Sequence, residues 1–207
     1  LPTGLSEKLH FLDLFDFVKT YHLLDQNPLP EKFILEILSD SYVQEASLSD
    51  YELIRKVKKI FSEFSILKSM ETDLDKKILQ RLYALLTDKN ESAVVFDNDK
   101  KLDAFFVKKN IRNFSDDLIE EAVFVNNGIF ASAPVSDSLT TLSYIAMQFI
   151  LIRSGFFIIP FSYIEYLESL KISSHGKDLR PMYELTVENA IKKAEKIIKI
   201  IDIDSLK

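Results

Sequence analysis

Residues 131–160 constrain the fold most strongly, because they contain the longest apolar run of the chain. Pro134 favours a turn, residues 136–138 (Ser-Asp-Ser) offer oxygens that can cap a helix, and Gly155 stands where a helix would end. Apolar side chains cover more than one face of the segment between them, which is typical of a buried helix. The sequence therefore predicts a central buried helix over residues 138–154.

Apolar residues at helical spacing predict a mainly α fold, with helices within 5–90, 115–155 and 162–203. Residues 93–107 are the exception, since AVVF and LDAFFV flank a turn-forming Asp-Asn-Asp-Lys and predict one β-hairpin. Four Gly and six Pro are spread along 207 residues without a linker-like tract, so we expect a single domain over 1–207. The predicted core includes Phe61, Phe64, Leu82, Ile145, Phe149 and Ile152.

Two local patterns refine these helices. Residues 29–46 predict one continuous helix, because Pro30 suits a first turn and the apolar residues that follow share a face. The Asn126-Asn127-Gly128 triplet is a helix-breaking signal, and it predicts an interruption near the end of the helix that begins at about Ser115.

Composition excludes several functional classes. A net charge of -6 and a pI near 5.2 argue against a nucleic-acid partner. The absence of cysteine excludes disulfides and thiolate metal sites, and because it fits a reducing compartment we expect a cytoplasmic protein. The three His lie in no metal-ligand spacing. Gln148 and Arg153 interrupt the apolar run at 142–159, and the first ten residues lack a signal-peptide pattern, so no membrane association is expected.

The hydroxyl-rich turn before the central helix is the main candidate for a site, because the N-terminus of a helix favours anions. This turn resembles the active loop of the Fic (Fido) family, HPFx(D/E)GNGRxxR, which leads into an apolar helix ending in LLRAGY. The same register here reads APVSDSLTTLSY and then IAMQFILIRSGF. Pro134, Asp137, Arg153 and Gly155 match. The resemblance implies a Fic-fold helical domain around the central helix, with the hairpin at 93–107 as the family's substrate-aligning flap.

The chain departs from the family motif where the motif carries its chemistry. Ala133 stands in the place of the catalytic His, and a methyl group cannot accept a proton. Residues 138–140 (Ser-Leu-Thr) replace the Gly-Asn-Gly that lets backbone amides approach nucleotide phosphates. Thr141 and Tyr144 replace the two phosphate-binding arginines. Asp137 remains in the position of the acid that helps hold magnesium, and a helix cap is its simpler interpretation.

Residues 41–46 (Ser-Tyr-Val-Gln-Glu-Ala) resemble the family's inhibitory helix signature, (S/T)xxxE(G/N). In the family this glutamate pairs with the second motif arginine and blocks productive placement of ATP. The corresponding partner position here is Tyr144, which cannot form a salt bridge with Glu45. We therefore interpret Ser41 and Glu45 as a relic of that signature or as ordinary exposed residues.

Two classes of function remain open. The first is a bacterial Fic-fold protein that has lost AMP transfer from ATP to protein hydroxyls. Such a protein would need no cofactor and would act as a regulatory or binding module, and the resemblance to the family links it to cell filamentation. It would act by self-association or by binding a protein partner at the edge of the hairpin. The alternative is a divergent nucleotidyl- or phosphotransferase that uses ATP and magnesium. Four hydroxyl residues would then contact a phosphorylated ligand: Ser136, Ser138, Thr140 and Thr141.

Overall fold

The computed structural model describes residues 3–25, 28–91, 96, 99–112, 114, 117–132, 137–176 and 178–205. These residues form helices and connecting segments without a strand, which confirms the mainly α fold class. In chain order the helices are α1 (Thr3–Leu24), α2 (Glu31–Leu38), α3 (Leu48–Ser69), α4 (Lys76–Thr87), α5 (Asp99–Ile111), α6 (Leu118–Ser132), α7 (Asp137–Arg153), α8 (Tyr163–Gly176) and α9 (Arg180–Ser205). Within these ranges, no helix is long and apolar enough to cross a membrane.

Helix α7 is the central helix that the apolar run predicts, and it packs against α6, α3, α4 and α1. Every residue from 141 to 151 is buried. The helix ends at Arg153, and just beyond it Gly155 takes a φ of 83° while the Phe156 amide donates to the Leu151 carbonyl over 2.9 Å. Five of the six predicted core residues are buried, and the sixth, Ile152, is partly buried against them.

The predicted hairpin is wrong in its second strand. Residues 102–107 lie within α5, and residues 93–95 of the first strand lie outside the described residues. Leu102, Phe105 and Phe106 are buried together with Lys109, at spacings of three, four and seven residues from Leu102. That spacing places all four on one face of a helix, whereas a strand would alternate them between two faces. The aromatic content suggested a strand, but the period is helical.

The predicted break in α6 is also wrong, because the helix continues through Asn126, Asn127 and Gly128. The Asn127 amide donates to the Val123 carbonyl over 2.9 Å, a contact that a helical position allows. A Cβ atom on Gly128 would lie 1.9 Å from a ring carbon of Phe105. Glycine is therefore placed here because α5 approaches α6 closely, and not because the helix ends.

We expect Gly128→Ala to lower the free energy of unfolding by about 1 to 3 kcal/mol, since the methyl group overlaps the buried Phe105 ring and forces α5 away from α6. Urea denaturation followed by circular dichroism measures this change. Gly4→Ala in α1 is the matched control, because nothing lies within 4 Å of its Cβ position, and it should be neutral or slightly stabilising. Equal stability of the two variants would contradict the close approach.

The helix predicted over 29–46 is too long. Helix α2 ends at Leu38, where Asp40 adopts a left-handed φ of 55° and the Ser41 amide donates to the Glu36 carbonyl over 2.8 Å. Helix α3 then begins after Ser47, whose hydroxyl and backbone form a capping box with Asp50. Residues 39–47 are therefore a connecting segment between two helices.

Candidate functional site

The motif turn lies between the end of α6 and the start of α7. Ala133, Pro134 and Ser136 fall outside the described residues, as does the side chain of Asp137. The structure thus tests the motif from Ser138 onward. Among the described side chains, no group of three or more His, Asp or Glu could hold a metal ion.

The first turns of α7 point most of their side chains inward. Ser138 and Thr140 are half-buried, and Leu139 is buried. Thr141 and Tyr144, at the positions that the resemblance assigns to arginines, are both 0% exposed. The Thr141 hydroxyl has no hydrogen-bond partner among the described residues. The helix therefore presents two neutral hydroxyls near the solvent and no cation.

Tyr144 is part of an aromatic cluster that joins α1, α7 and α8. Its ring stacks on Phe17 at 5.8 Å and meets the edges of Phe161 and Tyr166 at 6.2 and 6.0 Å. Burial raises the pKa of Tyr144 well above 10, although the nearby Thr20 side chain lowers it in part. The hydroxyl of Tyr144 still lacks a hydrogen bond of good geometry, so the ring and not the hydroxyl stabilises this position.

Three buried polar side chains, those of Asn126, Ser143 and Tyr166, form a hydrogen-bonded cluster that the comparison of motifs does not predict. The Asn126 amide donates to the Tyr166 hydroxyl over 2.6 Å. That hydroxyl lies 3.4 Å from the Ser143 hydroxyl, which donates to the Thr140 carbonyl over 2.8 Å. These bonds connect α6, α7 and α8. Buried hydrogen bonds of this kind fix one arrangement of the helices, so the group has a structural role.

The residues that resemble the inhibitory signature lie elsewhere in the fold. Ser41 and Glu45 are exposed in the connection after α2, which packs on α1 and α3. Tyr144 is fully buried in α7. The Tyr144 hydroxyl has no hydrogen-bond partner among the described residues, so Glu45 does not pair with it.

Arg153 lies at the opposite end of α7 from the motif turn, about 24 Å away along the helix axis. Its guanidinium pairs with Asp73 and lies 3.6 Å from Glu121, and Lys109 contacts the same two carboxylates at 3.2 and 3.5 Å. Burial raises the pKa of Asp73, but Lys109 and Arg153 together hold it below its usual value. Arg153, one of the residues that match the family, therefore joins a cluster of ion pairs that connects the end of α7 to α5, α6 and the α3–α4 connection.

No protein-family model matches the chain, and no curated protein matches it. Among solved structures, the chain is similar to Fic-1 from C. elegans with a TM-score of 0.79 and 16% sequence identity. The match covers 97% of this chain and 66% of the Fic-1 chain, so this chain spans just under two thirds of that structure. The chain therefore has a Fic fold. At this identity the likeness shows the fold and leaves the activity open.

Proposed function

We propose that this Fic-fold protein does not transfer AMP and acts instead as a regulatory or binding module. The burial of Thr141 and Tyr144 carries the proposal, because phosphate binding at these positions needs exposed cations and both side chains belong to the interior. Ala133 adds a second defect, since it replaces the general base. A cytoplasmic location and a role in cell filamentation belong to the proposal, and both rest on the resemblance to the Fic family.

The two defects act on different parts of the reaction. A missing general base lowers the rate by about 10²- to 10⁴-fold. Missing positive groups around the phosphates remove positioning and charge stabilisation, which cost a further factor of about 10² to 10³ for each lost donor. Ala133→His restores only the first of these contributions. We therefore expect the wild type and Ala133→His to be equally inactive.

The measurement is transfer of labelled AMP from ATP to the protein itself and to a cell lysate, with a Fic enzyme of intact motif as the positive control. Neither the wild type nor Ala133→His should label any protein above background. Robust labelling by the wild type contradicts the proposal. Labelling by Ala133→His alone would mean that a working phosphate site exists in this chain.

A second candidate function uses the half-buried hydroxyls of Ser138 and Thr140 at the start of α7. Helix N-termini bind phosphates through their amides and dipole, so a phosphorylated ligand could contact this turn without arginine. Nucleotides with magnesium at about a hundred times their Kd raise the stability of a binding protein by about 2.7 kcal/mol. A melting temperature unchanged by millimolar ATP, GTP or AMP with magnesium eliminates this alternative.

A binding module needs a surface for its partner. The sequence suggested the edge of a hairpin at 93–107, but residues 102–107 are helical and offer no strand edge there. In this region the described residues offer a partner the surface of a helix, α5.

A further inference from the structure

A groove of about 490 Å³ lies between α5, α6 and α8, and we refer to it as the α5–α6 groove. Lys101 and Lys108 of α5, together with Arg112 just beyond the end of this helix, line it along one side. Phe105 and Phe124 form its floor, where their rings stack at 5.5 Å with an angle of 29°. The groove therefore combines a row of cations with an aromatic surface.

The row of cations is long and partly unneutralised. Lys101 and Lys108 are exposed, seven residues apart on the same face of α5, and neither forms an ion pair within the described part of the chain. Arg112 pairs with Glu120 and lies over the Phe124 ring at 4.9 Å. The row spans about 16 Å from Lys101 to Arg112, because an α-helix rises 1.5 Å per residue. Lys101 and Lys108 thus carry positive charge that no described side chain pairs with, in a chain whose net charge is -6.

The floor of the groove depends on Gly128. With no side chain at this position, the Phe105 ring lies directly on the backbone of α6, where a Cβ atom of residue 128 would otherwise lie. Asn127 and Ser174 also line the groove, and the Ser174 hydroxyl donates to the side-chain Oδ1 of Asn127 over 3.2 Å. Ala131 is exposed at the end of the groove near the motif turn.

We propose that the α5–α6 groove binds an acidic peptide segment of a protein partner, with one aromatic side chain on the Phe105–Phe124 floor and carboxylates opposite Lys101 and Lys108. This inference deepens the proposed function, since it rests on a binding role and names the class of partner. The two lysines are about 10 Å apart along the helix, so a single small anion cannot neutralise both. An extended peptide rises about 3.3 Å per residue, and about five residues match the length of the row.

The test is fluorescence anisotropy with a fluorescein-labelled peptide, Gly-Asp-Glu-Phe-Glu-Asp-Gly, titrated with the purified protein. We expect saturable binding that weakens with added salt. Lys101→Glu with Lys108→Glu should weaken it at least about tenfold, because attraction is replaced by like-charge repulsion at two positions. Lys77→Glu with Lys199→Glu is the matched control, since both lysines are exposed and lie outside the groove. This control should bind like the wild type.

Two further arms separate the groove from general charge attraction. Ala131→Trp adds a ring inside the groove without a change of charge, and it should weaken binding at least about fivefold by filling the space. A peptide with Ser in place of Phe should bind at least about tenfold more weakly, because the aromatic side chain that the floor of the groove would bury is removed. Equal loss in the Lys77 and Lys199 control, or equal binding of the Ser peptide, overturns the proposal.

The outcome is independent of the test for AMP transfer. If neither peptide binding nor AMP transfer is observed, the proposal of a peptide site in the α5–α6 groove is wrong and the proposal that the protein does not transfer AMP stands. If both peptide binding and AMP transfer are observed, the proposal that the protein does not transfer AMP is wrong and the proposal of a peptide site in the groove stands.

Discussion

Lys193→Ala is expected to lower the free energy of unfolding by about 3 to 5 kcal/mol, because it removes the buried cation that contacts both the buried Asp16 and the half-buried Asp13. The Lys193 side chain is 1% exposed. Its ammonium pairs with Asp16 and lies 3.1 Å from Asp13 Oδ1. Both carboxylates belong to α1, so this cluster connects the first described helix to the last.

Chemical denaturation of Lys193→Ala measures the loss, and Lys192→Ala is the matched control. Lys192 is the adjacent residue, it is exposed, and its pair with Glu188 spans one turn of α9. Removal of such a surface pair should cost no more than about 0.5 kcal/mol. Similar losses in the two variants would show that the buried cluster contributes no more than a surface pair.

The same variant should have a distinct pH dependence. Burial raises the pKa of Asp13, and Lys193 lowers it in part. Without Lys193 the pKa in the folded state rises further above the unfolded value. A carboxyl group with a raised folded pKa destabilises the fold when it is ionised, so the deficit of Lys193→Ala should shrink as the pH falls through that pKa.

Tyr144→Ala is expected to destabilise the protein by about 3 to 5 kcal/mol, since it removes a ring that contacts Phe17, Phe161 and Tyr166 and leaves a cavity at the junction of three helices. Tyr144→Phe keeps the ring and removes a hydroxyl that has no well-formed hydrogen bond. It should cost no more than about 1.5 kcal/mol. Thermal and urea denaturation of both variants measure the difference.

The comparison of these two variants decides how the motif position is used. If Tyr144→Phe were as damaging as Tyr144→Ala, the hydroxyl and not the ring would be the important group, and the aromatic interpretation would fail.

The aromatic cluster around Tyr144 also bears on any attempt to rebuild the Fic motif. Tyr144→Arg would place a guanidinium among three aromatic rings, so we expect the full motif to be incompatible with this interior.

The sequence predicts the central helix and the Fic fold because their signals are local and continuous. The apolar run before Gly155 sets the position of α7, and the register of the motif turn identifies its relatives. The error at 102–107 arose because Phe and Val favour strands, while the burial of Leu102, Phe105 and Phe106 follows the helical period. Local preference was overridden by packing.

The candidate site is only partly visible in the sequence. The replacement of the motif residues can be read directly, but the burial of Tyr144 depends on rings from α1 and α8, which lie elsewhere in the chain. Gly128 looks like a helix breaker until the position of Phe105 is known. The α5–α6 groove likewise needs three helices to be placed, and no motif marks it.

The cluster around Lys193 has a consequence for the order in which the protein is made. Asp16 and Lys193 are 177 residues apart in the sequence. A ribosome adds about 5 to 20 residues each second, so Lys193 is synthesised roughly ten seconds or more after Asp16. During that interval, burial of α1 would leave two charges without a partner, which disfavours early docking. Helix α1 is therefore expected to settle into place late, only after α9 has been made.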